Sequence, residues 1–245
     1  MKQGRHENII DALKDQLRQA VPLDVPEMQP SVCLPPSFEK VTQARRAVVI
    51  DLEGTGYPPV DGRSLVEICA VELVEGVPTG RIYHSLINPN APINAYATKI
   101  HGLTDEDVQD APTFADIAGD VAAFIGDAIV VSHDVASDLT MLNPELQEAG
   151  YGPIDLERTH CTRKLAALLL PREPLKLLPL STRCGIDVSE EKFHGASTDA
   201  QVCAFIHLRL MEAGTAALAR RRERKAKEQA AKQERRAARL ADPSR

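Results

Sequence analysis

An α/β fold, with a mixed sheet flanked on both faces by helices, is what this 245-residue chain predicts. Three observations carry the expectation. An apolar run of the kind found in buried central strands ends abruptly in acids at residues 47–53. Two further strand-like stretches follow it as a meander, and strand and helix patterns then alternate to about residue 213. The composition, 43% hydrophobic and 26% charged, is that of a globular protein, and the length suits one domain of about 150–180 residues with extensions.

Taken in order, residues 1–45 read as an appendage. Ile9, Ile10, Leu13 and Leu17 recur at helical spacing, predicting a short amphipathic helix over residues 8–20. Pro22, Pro26, Pro30, Pro35 and Pro36 then crowd residues 21–38, predicting a linker or an extended strap over the domain surface. The main domain is expected over residues 46–214. Its first strand is followed by strands over 64–73 and 81–88, with Gly76 and Pro78 marking a hairpin connection between them. Thr104-Asp-Glu-Asp has the spacing of a capping box, and a helix is predicted over 113–125. Residues 128–132 read as another buried strand and 154–159 as a short one. Helices are expected near 136–150, 162–170 and 196–213.

Residues 215–245 form a helix-prone tail rich in Ala, Arg, Lys, Glu and Gln, with almost no apolar anchor to bury. Residues 219–245 hold 11 Lys/Arg against 4 Asp/Glu, a charge of +7, and the preceding 218 residues, with 18 basic and 31 acidic, carry −13. Two readings of the tail stand side by side: a solvated helix, or a sequence-independent grip on nucleic acid backbone or an acidic partner. An acidic body ordinarily argues against nucleic acid. Carboxylates gathered around bound cations are a different case, because the cations neutralise that charge locally.

The sequence offers no run of 18 consecutive apolar residues, so no membrane association is expected, and its polar start lacks the apolar core of a secretory signal. Five scattered cysteines without a C-x-x-C pair read as small buried residues in a reducing cytoplasm.

The chemistry is expected at three places. Asp51 and Glu53 close the first strand two residues apart, so both point to one face and can meet one cation. Gly54-Thr55-Gly56 then lets the backbone turn closely past whatever they hold. Acids ending a buried strand are costly unless paired or metal-bound. His133-Asp-Val-Ala-Ser-Asp138 directly follows the strand at 128–132, and His194-Gly-Ala-Ser-Thr-Asp199 opens the helix at 196. The H-x-x-x-x-D spacing alone says little, since His6, His101 and His207 also have an acid five residues on. The order of these blocks and their placement after strands give them weight.

With those residues in view, residues 47–212 resemble the DnaQ-like exonucleases, the DEDD superfamily with a histidine in its third motif. The resemblance rests on Asp51-Leu-Glu-Gly-Thr-Gly, Leu65-Val-Glu-Ile-Cys-Ala-Val-Glu, Ile100-His-Gly-Leu-Thr-Asp-Glu, Ser132-His-Asp-Val-Ala-Ser-Asp and His194-Gly-Ala-Ser-Thr-Asp-Ala, in that order. It implies an RNase H-like fold with a five-stranded mixed sheet and a 3′–5′ exonuclease releasing nucleoside 5′-monophosphates. By the same resemblance Asp51, Glu53, Asp138 and Asp199 hold two divalent cations, Mg²⁺ or Mn²⁺. Asp51 bridges them, Glu53 and Asp199 join it on the first, and Asp138 holds the second largely through water. The physical logic agrees: hard cations prefer oxygen ligands, and a histidine titrating near neutrality suits His194 to act as general base.

The resemblance also implies a pocket for the terminal nucleotide lined by Leu52, Gly54 and Thr55, with His101 contacting it; the alternative for His101 is a loop histidine capping a turn. Single-stranded or 3′-ended nucleic acid is the implied partner, DNA before RNA, and a DNA polymerase subunit is a further one. Four positions depart from the family pattern. Asp134 and Ser137 stand where Asn and Phe are usual, Tyr96 where a Glu precedes the loop histidine, and Pro179 falls where a helix is expected, so that helix should start late. A missing aromatic at 137 weakens stacking on the substrate. RNA trimming and a non-catalytic nucleic-acid-binding adaptor are the competing functions, the latter disfavoured because all five catalytic positions are filled.

Overall fold

The strand β1 (Arg46–Gly54) lies at the centre of the sheet because it has nothing to offer water: Val48, Val49 and Ile50 are fully buried. The structure, a computed structural model, describes residues 9–28, 33–56, 65–188 and 194–241. β1 pairs antiparallel with β2 (Leu65–Val74) and parallel with β4 (Ile129–Ser132). β3 (Val77–Leu86) pairs with β2, and β5 (Thr159–Cys161) with β4, giving one mixed five-stranded sheet in the order β3-β2-β1-β4-β5. Glu75 and Gly76, both at positive φ, make the tight turn of the β2–β3 hairpin.

Alternation along β1 divides the core. Ala47 and Val49 belong to one apolar cluster, and Val48, Ile50 and Leu52 to the other. The second cluster is covered by α5 (Phe114–Ile125) and α6 (Val135–Glu148). The first is covered by α1 (Ile10–Gln19), α2 (Pro36–Gln43), α7 (Thr162–Leu169), α8 (Leu177–Arg183) and the first turns of α9 (Ala196–Ala241). The short helices α3 (Ala95–His101) and α4 (Asp105–Val108) lie in the β3–α5 connection. Thr104 and Thr113 each open a helix with a capping box, closed by Asp107 and Asp116.

Several expectations need correction. β3 begins four residues before the strand predicted at 81–88 and contains Pro78, which pairs with Leu73 beside a register shift on this edge strand. The strand expected at 154–159 is instead a 3-10 turn at Leu156–Arg158, whose start Asp155 caps by accepting the Glu157 N–H; the strand itself is Thr159–Cys161. α8 starts at Leu177, late as Pro179 requires. Within the crowded prolines lies an unforeseen helix, α2, with Pro36 at its first position. Ser64 at the start of the second predicted strand and Pro30 of the strap lie outside the described residues.

The N-terminal segment is bound into the core rather than appended to it. Ile9, Ile10, Leu13, Val25, Met28, Phe38 and Val41 are all buried in the cluster that contains Val49 and Phe205. The Gln201 side chain accepts the Ile9 N–H at 2.9 Å, and Arg209 donates to the carbonyls of Val21 and Cys184. Phe38 packs against Gly214 of α9, where a Cβ would come within 2.7 Å of the ring.

α9 is one continuous helix of 46 residues, about 69 Å long at 1.5 Å per residue. The domain helix expected to end at 213 and the tail thus form one element. By length and composition alone it could cross a bilayer, but 61% of its most apolar window is buried against the sheet and neighbouring helices, as befits a core helix. Residues 225–237 are exposed throughout. Cys69, Cys161, Cys184 and Cys203 are free and buried, and Cys33 is exposed.

Candidate active site

The pairing of β1 with β4 stops at Val49 opposite Val131, and β1 runs five residues further. Its carboxyl end is thereby open on one side, the place where α/β sheets hold ligands. Asp51 and Glu53 lie on this overhang, on the side chain face shared with Val49. Beyond Glu53 a register shift against β2 bends the strand away. On the same side of the sheet α9 begins, bringing Asp199 in its first turn. Oxygens of Asp51, Glu53 and Asp199 all lie within 4.8 Å of one another, although 146 residues separate Glu53 from Asp199. Asp138 reaches the strand end from the first turn of α6; it is buried, accepts a short hydrogen bond from the Ser132 hydroxyl, and stands outside the tight trio.

Electrostatics mark the cluster as short of positive charge. Burial above all, then the charges of Asp199, Asp138, Glu53 and Glu67, hold Asp51 well above the usual carboxylate range. Burial followed by Asp199, Glu67 and Asp138 pushes Glu53 up to about 8. Asp138 and Asp199 rise to about 7, burial outweighing the hydrogen bonds from Ser132 and from the His194 backbone N–H respectively. Among the described residues every charged neighbour acting on Asp51 is another carboxylate, and Oδ1 of Asp199 is buried without a hydrogen-bond partner. Clustered oxygens, an orphaned acceptor and mutual repulsion are the donor set that hard divalent cations fit.

His194 stands at the mouth of α9 with its side chain exposed and its backbone in the left-handed region, φ 69°. Its N–H donates to the Asp199 carboxylate, so the loop that presents the imidazole is tied to the cluster.

Beside the acids opens a cavity of about 670 Å³, lined among others by Leu52, Glu53, Gly54, Tyr96, His101 and Met141. Leu52 supplies an apolar wall, and Tyr96, 74% exposed, offers an aromatic face. Ser137 and Thr140 line the same cavity, so where position 137 lacks an aromatic, Tyr96 supplies one to the lining. His101 accepts the Leu103 N–H at Nδ1 and therefore carries its proton on Nε2, which donates to the Gly54 carbonyl at 3.1 Å. Both nitrogens are committed to the protein, and burial lowers its pKa, so His101 presents a neutral ring to the cavity rather than a free donor. His101 thus ties a turn and borders the cavity.

Thr55 is buried, its hydroxyl without a hydrogen-bond partner among the described residues, and its carbonyl accepts the Asn94 N–H. Gly56 (φ 108°) packs so closely on Asn94 that a Cβ would lie 1.8 Å from the amide nitrogen, and Asn94 in turn caps α3. The turn after Glu53 and the helix bearing His101 are thus locked together. His133, next to Ser132 in the second block, bonds Thr162 and the Leu175 carbonyl, while Asp134 pairs with Arg163 at 2.7 Å; both serve structure.

Sequence reasoning missed Glu67 and His84. Glu67 is buried on β2 directly opposite Glu53. One of its oxygens lies 2.7 Å from His84 Nε2, and the other accepts the Ala196 N–H at 2.9 Å, satisfying an orphan donor at the start of α9. This carboxylate holds the helix that carries Asp199 against the strand that carries Glu53. Glu67 falls within a quoted motif, but its two partners lie 17 and 129 residues away in sequence, where local spacing gives no signal.

Comparison with known proteins agrees with this geometry. A family model described as Exonuclease matches residues 48–206. DNA polymerase III subunit epsilon of Rickettsia conorii is 35% identical over 169 residues, covering 68% of this chain and 74% of that one. Among solved structures, Exonuclease X in complex with 5′ overhanging duplex DNA matches with a TM-score of 0.55 at 24% identity, covering 67% of this chain and 90% of that one. The nuclease domain of 3′hExo, a DEDDh family member bound to rAMP, matches with a TM-score of 0.59 at 18% identity, covering 71% and 94%. The two structures share the fold, a mixed RNase H-like sheet flanked by helices, and the sequence relatives share the family. The chain belongs to the exonuclease family and is a DnaQ-like 3′–5′ exonuclease.

Proposed function

We infer that the chain removes nucleoside 5′-monophosphates from the 3′ end of DNA, in proofreading or end trimming, using two divalent cations held by Asp51, Glu53, Asp138 and Asp199. The observation that carries this reading is the convergence of three carboxylates from two distant segments to within 4.8 Å, beside an open cavity of about 670 Å³. Two such cations would supply charge stabilisation for the attacking and leaving oxygens of an in-line displacement. Asp51, reached by the charges of all three other acids, would be the central ligand. Glu53 and Asp199 would hold a cation with it, and Asp138, set apart on α6, would help hold the second. His194, exposed at the rim, takes the proton of the attacking water. Leu52, Gly54 and the neutral ring of His101 receive the terminal nucleotide, and Tyr96 stacks on a base. Thr55 supports that pocket from within.

DNA is favoured because the sequence relatives carry the name of a DNA polymerase subunit, which also supplies a polymerase as the partner to test. RNA is the second reading, because a structure of the same fold is bound to rAMP. The scattered free cysteines suit a cytoplasmic enzyme. Incubation of the protein with 5′-labelled single-stranded DNA and matched RNA, in Mg²⁺, Mn²⁺ or EDTA, tests all of this. Stepwise shortening from the 3′ end, abolished by EDTA and faster on DNA, is expected. Faster shortening of RNA would move the reading to RNA trimming. Intact substrate together with no calorimetric binding of either cation would leave a nucleic-acid-binding adaptor.

A further inference from the structure

α9 joins two unlike surfaces. Its first turn carries Asp199, and beyond Arg224 it projects with every residue from 225 to 237 exposed. The buried Ala213 and Ala217 show which side of the helix faces the body, and the half-buried Arg221 and Arg224 continue that row by steps of four and three. Arg224 pairs there with Glu27 of the N-terminal strap. Further steps of one, seven, three and one residues bring Lys225, Lys232, Arg235 and Arg236 to the same side. Glu223, Ala226, Ala230, Glu234 and Ala237, spaced by three and four, occupy the opposite side. Glu228, which pairs with Arg224, also lies on the basic side and Lys227 on the other, so the charge is biased rather than segregated. Over residues 225–237 the Arg224 side holds four cations and one acid, the other side one of each.

We propose that the basic side of this arm binds the phosphate backbone of the nucleic acid whose 3′ end lies in the acidic site. This binding rests on the exonuclease reading and on charge complementarity: the residues before the tail carry −13, the tail +7, and the substrate is a polyanion. Geometry adds a length rule. At 1.5 Å per residue, Lys225 stands about 39 Å and Arg236 about 56 Å along the helix from Asp199. At about 3.4 Å per nucleotide of duplex, that reach corresponds to roughly 11–16 nucleotides. A strand of four nucleotides fills the site and never meets the arm.

The test compares the full chain with a variant carrying Lys225→Glu, Lys232→Glu, Arg235→Glu and Arg236→Glu. All four are exposed, so the fold is left alone. Hydrolysis of a 4-mer and a 40-mer of single-stranded DNA is followed with Mg²⁺, and 40-mer affinity is measured from 50 to 300 mM salt. The expected result is unchanged turnover of the 4-mer, KM for the 40-mer raised about 10- to 100-fold at low salt, and a salt slope shallower by about 3, as expected when four phosphate contacts are lost from a single strand. An unchanged KM and slope for the 40-mer would overturn the proposal, as would equal loss on both lengths. So would a parent chain that dimerises through the arm and a variant that does not, since the arm would then serve a second acidic body. Should neither protein cut the 4-mer, the exonuclease reading fails while the salt slope of binding still decides the arm.

Discussion

Two polar clusters are buried against α9, and burial acts on them in opposite directions. Around Asp199, burial holds Asp51 well above the ordinary carboxylate range and raises Glu53 to about 8 and Asp138 and Asp199 to about 7. Two turns further along the helix His207 meets His160 edge-on at 5.3 Å, and burial drives them down to about 3 and 4. Among the described residues each cluster contains buried atoms without a hydrogen-bond partner: Asp199 Oδ1 in one, His160 Nε2 and His207 Nδ1 in the other. The difference is what lies beside them. The acid cluster reaches a cavity through Glu53 and shares one sign of charge, so a cation can relieve it. The histidines are enclosed and solve the same problem by staying neutral. Polar burial alone does not mark a functional site; burial with unrelieved charge beside an opening does.

The comparison breaks most sharply if the acids tolerate neutralisation. Asp51→Asn is expected to lower turnover by on the order of 10³-fold or more, with unchanged circular dichroism; near-normal turnover would place the chemistry elsewhere. Next in size, Glu67→Ala should cost about 10- to 100-fold by releasing the start of α9. Glu67→Gln, which keeps an acceptor for the Ala196 N–H, should recover most of it. Equal losses in both variants would mean that charge, rather than the hydrogen bond, is what Glu67 contributes.

The pH response sharpens the contrast. Between about pH 4 and 8 the folded acids hold protons that the unfolded chain has released, so metal-free stability falls as pH rises through that window. Mg²⁺ should therefore raise the melting temperature more at pH 8 than at pH 6, where protons compete for the same oxygens; an equal rise at both would contradict this. Between about pH 6.5 and 3 the histidines act the other way: the unfolded chain binds protons that the fold refuses, so stability falls as pH drops. The smallest effect expected is that of His207→Leu. Turnover at neutral pH should not change, the melting temperature there should shift by only a few degrees, and the variant should outlast the parent near pH 4.5. Loss of turnover would make the pair part of the active site after all.

Much of this was legible in sequence where the signal is local. The acid pair of β1 follows from strand alternation, and Asp138 and Asp199 from motif order, though their convergence on one strand end needs the fold. The misses are nonlocal or concern punctuation. Five prolines read as a linker, but Pro36 is a helix start, and the apolar residues around it bury against α9 more than 150 positions away. Glu67 looks like an ordinary strand residue until β2 is laid beside β1 and α9 is brought to its end. His101 could be placed near the pocket, but only its two hydrogen bonds reveal that neither nitrogen is available to substrate.

The point at which β1 and β4 part company has one more consequence. Because their ladder ends at Val49, no rung of it lies beside Asp51 or Glu53, and the acids hang from a strand already secured upstream. Chemistry and scaffold are thus separable by a single side chain. A chain disarmed at Asp51 keeps its cavity, its strap and its long helix, and should retain bound ends that it can no longer release as products. Such a variant is a ready-made bait for recovering the enzyme's natural substrate from a mixture of nucleic acids.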